Sequence, residues 1–125
     1  MADAITIDTG APTLLCEIRD RVAVITLNRP EIRNAMGEEI TPFIREQIKL
    51  CGEDDRVGAI VLTGAGTAFC AGGNVKGMGA NRSTAMSQEE RIDDIKWRQL
   101  NLTGAIRAVR KPTIAALPGA AAGAG

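Results

Sequence analysis

The sequence predicts one α/β domain, and three observations carry that prediction. Short runs rich in β-branched residues alternate with segments whose apolar residues recur at helical spacing. The intervening helices are long enough to serve as crossovers between strands. The third strand-like run, Ala59-Ile60-Val61-Leu62, empties into the glycine-rich stretch Thr63-Gly64-Ala65-Gly66-Thr67-Ala68-Phe69-Cys70-Ala71-Gly72-Gly73. Such a loop exposes backbone N–H groups at a strand end, where a carbonyl or phosphate oxygen can be held.

In chain order, residues 1–12 read as a polar, small-residue lead-in that frays, and residues 13–125 as the domain. Leu14 to Ile18 and Val22 to Leu27 are two β-rich runs joined through Arg19-Asp20-Arg21, the pattern of a hairpin. Asn28-Arg29-Pro30 stops the second run. From Gly37 onward Ile40, Phe43, Ile44, Ile48 and Cys51 fall at helical spacing, with Gln47 the one polar residue on that face. Pro42 sits near the start of this helix, where its missing N–H costs least, and Gly52 reads as its stop. Val57 to Leu62 is the third strand. Ser87-Gln88-Glu89-Glu90 has the form of a capping box, which predicts a second helix carrying Ile92, Ile95, Leu102, Ile106 and Val109 on one face. Lys111-Pro112 ends that helix, and Thr113 to Leu117 reads as a fourth strand before a Gly/Ala-rich segment, Pro118 to Gly125.

Composition narrows the chemistry. At 125 residues the chain suits one core, and with aromatics at 2% that core must come from Ile, Leu, Val and Ala. Lys+Arg and Asp+Glu are 15 each, so bulk charge does not draw the protein to nucleic acid or to an anionic membrane. There is no His, and three cysteines fall one short of the four ligands of a structural zinc site. Cys16, Cys51 and Cys70, odd in number and widely spaced, suit free thiols in a reducing compartment. No basic-then-apolar leader is visible, and no apolar run approaches the roughly 20 residues of a membrane helix. The expectation is a cytoplasmic protein.

The loop at 64–76 admits several readings. A dinucleotide fingerprint needs a glycine three residues after Gly66, and Phe69 stands there. The phosphate-loop pattern Gly-x-x-x-x-Gly-Lys-Ser/Thr is absent. An oxyanion loop fits better, because Gly72 and Gly73 let the backbone come close to a ligand without a Cβ in the way. A plain surface turn is the competing reading. The segment Pro118 to Gly125 has the same character, so two loops after separate strands can supply two N–H donors to one oxygen. A thioester carbonyl that becomes an enolate gains most from such a pair.

Three motifs then resemble one family. Val24-Ile25-Thr26-Leu27-Asn28-Arg29-Pro30-Glu31-Ile32-Arg33-Asn34-Ala35-Met36 resembles the opening motif of the enoyl-CoA hydratase/isomerase (crotonase) family. Ala68-Phe69-Cys70-Ala71-Gly72-Gly73-Asn74-Val75-Lys76 resembles its first oxyanion loop, and Lys111 through Gly125 the strand and loop of its second donor. The motifs stand in the family's order, and the resemblance runs from about Leu14 to Gly125.

The resemblance implies a crotonase-like spiral of β-β-α turns, of which this chain holds the N-terminal half. It implies that the backbone N–H groups of Gly73 and Ala124 form the oxyanion hole. Ala71, Gly73, Asn74, Val75 and Lys76 would line the pantetheine and thioester of the substrate, and Arg33 and Ala35 the nucleotide end of coenzyme A. Lys76 and Arg33 read equally well as solvated surface charges. Asn74 stands where the family usually has Asp, and Ala124 where Gly is usual. The implied substrate is an acyl-CoA thioester, with no separate cofactor, metal, nucleic acid or membrane partner. The implied full-length reaction is hydration of a 2-enoyl-CoA, with isomerisation and thioester hydrolysis as alternatives. The implied assembly is a homotrimer or a pair of trimers, and the proton-transferring acids are expected beyond Gly125. Two further readings are a nucleotide-dependent oxidoreductase and a truncated chain without turnover.

Overall fold

Asp20 and Arg21 both take positive φ, +48° and +68°, the combination that turns a two-residue hairpin with the native twist. They join β2 (Leu14–Arg19) to β3 (Val22–Leu27) in antiparallel register, Leu14 facing Leu27 and Arg19 facing Val22. The structure, a computed structural model, describes residues 3–73 and 87–125. After β3 comes a 3₁₀ turn at Pro30–Ile32, then α1 (Thr41–Glu53) and β4 (Ala59–Gly64), which pairs parallel with β3. Two helices, α2 (Gln88–Asn101) and α3 (Thr103–Ala108), lead to β5 (Thr113–Ala116), parallel to β4. With β1 (Ile5–Ile7), the five strands form one mixed sheet in sequential order.

Alternation decides which face of the sheet is buried. Leu14, Cys16 and Ile18 of β2 and Ala23, Ile25 and Leu27 of β3 are all buried, every second residue of each strand. Against them α1 presents Ile44, Gln47, Ile48 and Cys51, one face at helical spacing, with Ile40 just before it. Burying each such aliphatic side chain contributes about 1.5–3 kcal/mol. Pro42 falls in the first turn of α1, as the sequence predicts.

Four expectations need adjustment. Residues 5–7 do not fray; they pair with Cys16–Ile18, because β2 would otherwise present an open edge. Gly52 does not stop α1, which continues to Glu53. Val109 instead packs onto Gly52, where an added Cβ would lie 3.4 Å from its methyl. The second helix is not continuous, since Leu102 leaves helical geometry at φ −115°, ψ −78° and separates α2 from α3. The third strand starts and ends two residues later than the sequence reading places it, at Ala59 and Gly64. The capping box does form at its first half: Ser87 Oγ accepts the Glu90 N–H at 3.1 Å.

Leu102, Ala105, Ile106 and Val109 pack against the core, whereas Ile92, Ile95, Trp97 and Leu100 of α2 are exposed. The Arg45 guanidinium lies 4.7 Å from the centre of the Trp97 ring and covers part of that face. No described helix is long and apolar enough to cross a membrane.

Candidate active site

Beyond β4 the chain enters no helix until after residue 73; it crosses instead between two other segments. On one side lies the stretch after the 3₁₀ turn: the Ala71 N–H donates to the Arg33 carbonyl at 3.0 Å, and the Met36 N–H to the Gly72 carbonyl at 2.6 Å. On the other side lies the loop after β5. Phe69 and Cys70 N–H donate to the Ala120 carbonyl at 2.9 and 3.3 Å, and Ala122 N–H to the Cys70 carbonyl at 3.0 Å. Three segments distant in sequence are thereby stitched into one layer.

Asn34 fixes the entry to this layer. It is wholly buried, in a left-handed conformation at φ +56°, a region Asn tolerates better than most residues. Its Nδ2 faces the carbonyls of Ala65, Ala68 and Phe69 at 3.0, 3.0 and 3.1 Å, and its Oδ1 accepts the Arg29 N–H at 2.7 Å. The first three are carbonyls turned inward by a tight loop, which would be costly to bury unpaired. Cys70 adds a link, its thiol donating to the Asn34 carbonyl at 3.1 Å and accepting the Gly72 N–H at 3.4 Å. Burial pushes the Cys70 thiol above its ordinary range, so it stays protonated as that donor requires.

Gly72 marks the crossing point of the two loops. Its φ is +99°, and a Cβ there would stand 2.8 Å from the Ala122 carbonyl oxygen and 3.4 Å from the Ala124 nitrogen. Only glycine accepts both conditions. The next residue, Gly73, and Ala124 border one cavity of about 670 Å³, together with Met36, Thr41, Gly123 and residues of α2 and α3. Among the described residues, neither the Gly73 nor the Ala124 N–H donates to any acceptor.

The cavity has two chemical zones. Glu38 and Glu39 stand on its wall, exposed and paired with Arg98 at 3.4 Å and Arg29 at 3.5 Å. At Met36, Leu102, Thr103 and Ala124 it adjoins an apolar pocket of about 300 Å³ lined by Ile25, Leu62, Phe69, Ile106 and Ile114. Ala124 thus stands where the two spaces meet, and Gly73 lines the larger cavity alone. No group of acids, cysteines or histidines among the described residues could hold a metal ion.

Residues 17–125 match the family described as enoyl-CoA hydratase/isomerase. The chain belongs to that family. It is 39% identical over 115 residues to a protein of Mycobacterium tuberculosis named as a probable enoyl-CoA hydratase, covering 90% of this chain and 41% of that one. A Dictyostelium discoideum protein named as a probable mitochondrial enoyl-CoA hydratase is 35% identical over 113 residues, 90% of this chain and 38% of its own. A Legionella pneumophila structure described as a putative enoyl-CoA hydratase/isomerase (crotonase) superposes with a TM-score of 0.73 at 31% identity, covering 84% of this chain and 39% of that one. An enoyl-CoA hydratase/isomerase from Xanthobacter autotrophicus does so at 0.75 and 30%, covering 86% and 39%. The fold is therefore crotonase-like, and the chain spans about two fifths of the length of the relatives it matches.

Within this crotonase-like frame the expected site residues divide. Ala71, Gly73 and Ala124 come together at the crossing loops, and Arg33 joins them through its carbonyl while its side chain is exposed. Ala35 is buried and offers a ligand little surface. Asn74, Val75 and Lys76 lie outside the described residues. The dinucleotide reading of Gly64-Ala65-Gly66 fails structurally as well, since that fingerprint requires a helix N-terminus directly after the glycines. Asn34, Met36 and Cys70 are what residue-type reasoning passes over. For Asn34 and Met36 the signal is the Asn-Ala-Met run after the 3₁₀ turn; Cys70 carries none.

Proposed function

We propose that this chain binds an acyl-CoA thioester and stabilises its enolate through the backbone N–H groups of Gly73 and Ala124. The single observation that carries this reading is that Gly73 and Ala124 line one cavity and neither N–H donates to an acceptor among the described residues. Two preorganised donors aimed at a developing oxyanion are worth roughly 2.7–4 kcal/mol of barrier each where such donors have been removed. The adjoining apolar pocket fits an acyl chain, with the carbonyl left at the boundary.

In the whole protein the reaction we propose is syn addition of water to a 2-enoyl-CoA. The names of the mycobacterial and Dictyostelium relatives favour it over isomerisation or thioester hydrolysis. Glu38 and Glu39 are not assigned proton transfer, because each is exposed and tied to an arginine. A homotrimer or pair of trimers remains part of the proposal, supported by the exposed Ile95, Trp97, Leu100, Ile114 and Leu117. The three free thiols support a reducing compartment, in our reading the cytoplasm.

Calorimetric titration with crotonyl-CoA, free coenzyme A and NAD tests the reading. Crotonyl-CoA should bind more tightly than free coenzyme A, and NAD should not bind. Binding of NAD without binding of crotonyl-CoA would overturn it. Binding without loss of the conjugated double bond would mark a chain that holds substrate but does not turn it over.

A further inference from the structure

The interface of α1 with the sheet brings two thiols together. Cys16 of β2 and Cys51 of α1 are buried, unbridged, and 3.9 Å apart from Sγ to Sγ. Gln47, one helical turn before Cys51, reaches both: its Nε2 is 3.4 Å from the Cys51 sulfur and 3.6 Å from that of Cys16. Neutral sulfur accepts weakly, so a buried amide placed between two thiols gains little from them in that form. The same amide gains much more once one sulfur carries charge. Lys111 adds a second positive influence, its ammonium donating to the Cys51 carbonyl at 2.9 Å.

The pair is built to share one proton. The hydrogen bond from Cys16 brings Cys51 down to about 7 and Gln47 adds to this; burial and then the Asp54 carboxylate oppose it, and Lys111 adds a smaller pull downward. Cys16 moves up correspondingly, because it retains the shared proton and is itself buried. A surface groove of about 350 Å³, between Ile18, Leu50 and Arg56, reaches Cys51. Cys70 has no second thiol beside it: its thiol donates to the Asn34 carbonyl, and burial pushes it up although the Gly72 N–H opposes this.

We propose that Cys16 and Cys51 form an oxidisable dithiol, a modification site that a hydroperoxide converts to a disulfide tying β2 to α1. The Cys51 thiolate attacks the peroxide oxygen, the O–O bond breaks, and Cys51 becomes a sulfenic acid; the hydroxide (or alkoxide) that departs takes up the proton Cys51 released on ionising and leaves as water (or alcohol). Cys16 then gives up its proton and attacks the Cys51 sulfur, expelling a second water. Two thiols are oxidised by two electrons and one peroxide is reduced. The sulfurs must close from 3.9 Å to about 2.05 Å. The site does not depend on the acyl-CoA reading.

The test is mild hydrogen peroxide treatment of the folded chain, followed by alkylation in denaturant, intact mass and peptide mapping. The expected product has lost two hydrogens, carries a Cys16–Cys51 crosslinked peptide, keeps Cys70 alkylatable, and recovers all three thiols on reduction. Cys16→Ser should stop at a sulfenic acid on Cys51 that dimedone captures, whereas Cys51→Ser should not react at this site. The wild-type peptide map decides the matter even if a variant folds poorly. Oxidation of Cys70 in preference to the pair, disulfides between chains, or thiols consumed only after unfolding would each overturn the proposal.

Discussion

The side-chain amide of Asn34 donates to the Ala68 carbonyl at 3.0 Å, across 34 residues of chain and in the complete absence of solvent. The same nitrogen faces two more carbonyls of the loop, and Oδ1 holds the Arg29 N–H. One side chain therefore decides how the segment after the 3₁₀ turn meets the loop that leads to Gly73. The oxyanion geometry proposed for Gly73 and Ala124 inherits its position from this contact.

Asn34→Ala should accordingly be severe. It strands buried carbonyls and an N–H, at about 1–3 kcal/mol for each group left unpaired. Chemical denaturation should show a loss of at least about 3 kcal/mol. Asn34→Asp, which keeps the acceptor but not the donor, should rescue little of it. A loss under about 1 kcal/mol for both would mean that the loop holds its shape without Asn34.

Gly72→Ala tests the crossing of the two loops. The added methyl meets the Ala122 carbonyl at 2.8 Å and φ is +99°, so the loops must part or the backbone must change. We expect a cost of about 1–3 kcal/mol and a weakened affinity for crotonyl-CoA. Ala124→Gly, at an exposed position that contributes only its backbone, should leave affinity within about a factor of two. Equal effects of the two substitutions would contradict the crossing geometry.

Much of this was legible in the sequence, and the exceptions share a cause. The hairpin, the face of α1 and the capping Ser87 follow from contacts within a few residues, which periodicity and capping rules read directly. The glycine-rich loop read either as a backbone site or as a plain surface turn, and its composition did not choose between them. What stayed hidden depends on distant partners. The strand at Ile5–Ile7 forms because β2 offers an edge, and Gly52 stays helical because Val109 packs upon it. Asn34 reads as an ordinary turn residue until the 65–69 carbonyls arrive above it.

Lys111 ties the end of α1 to the start of β5. Its ammonium donates to the Cys51 and Asp54 carbonyls at 2.9 and 2.7 Å, two of the carbonyls that a helix end leaves unpaired. Lys111→Met keeps the aliphatic stem and removes the donors, and should cost about 1.5–3 kcal/mol in thermal or urea unfolding. Unchanged stability would show that water replaces the ammonium at no cost.

Asp54 should make acid stability depend on Arg56. The Arg56 guanidinium, at 2.7 Å, and then the Arg56 N–H hold the Asp54 carboxyl down at about 2. Because the folded value lies below the unfolded one of about 3.9, the contribution is present above that unfolded value. It is lost as pH falls through about 2. Arg56→Ala should return the Asp54 titration, followed by carboxyl NMR, toward the ordinary range and flatten the acid limb of stability over that window. An unchanged titration would assign the shift to something other than Arg56.

The most direct test of the account is amide NMR of the chain during titration with crotonyl-CoA, with free coenzyme A as the control. The account predicts that the Gly73 and Ala124 amide protons move downfield together, on one binding curve, and only with the thioester. Saturable thioester binding that leaves both amides where free coenzyme A leaves them would contradict it.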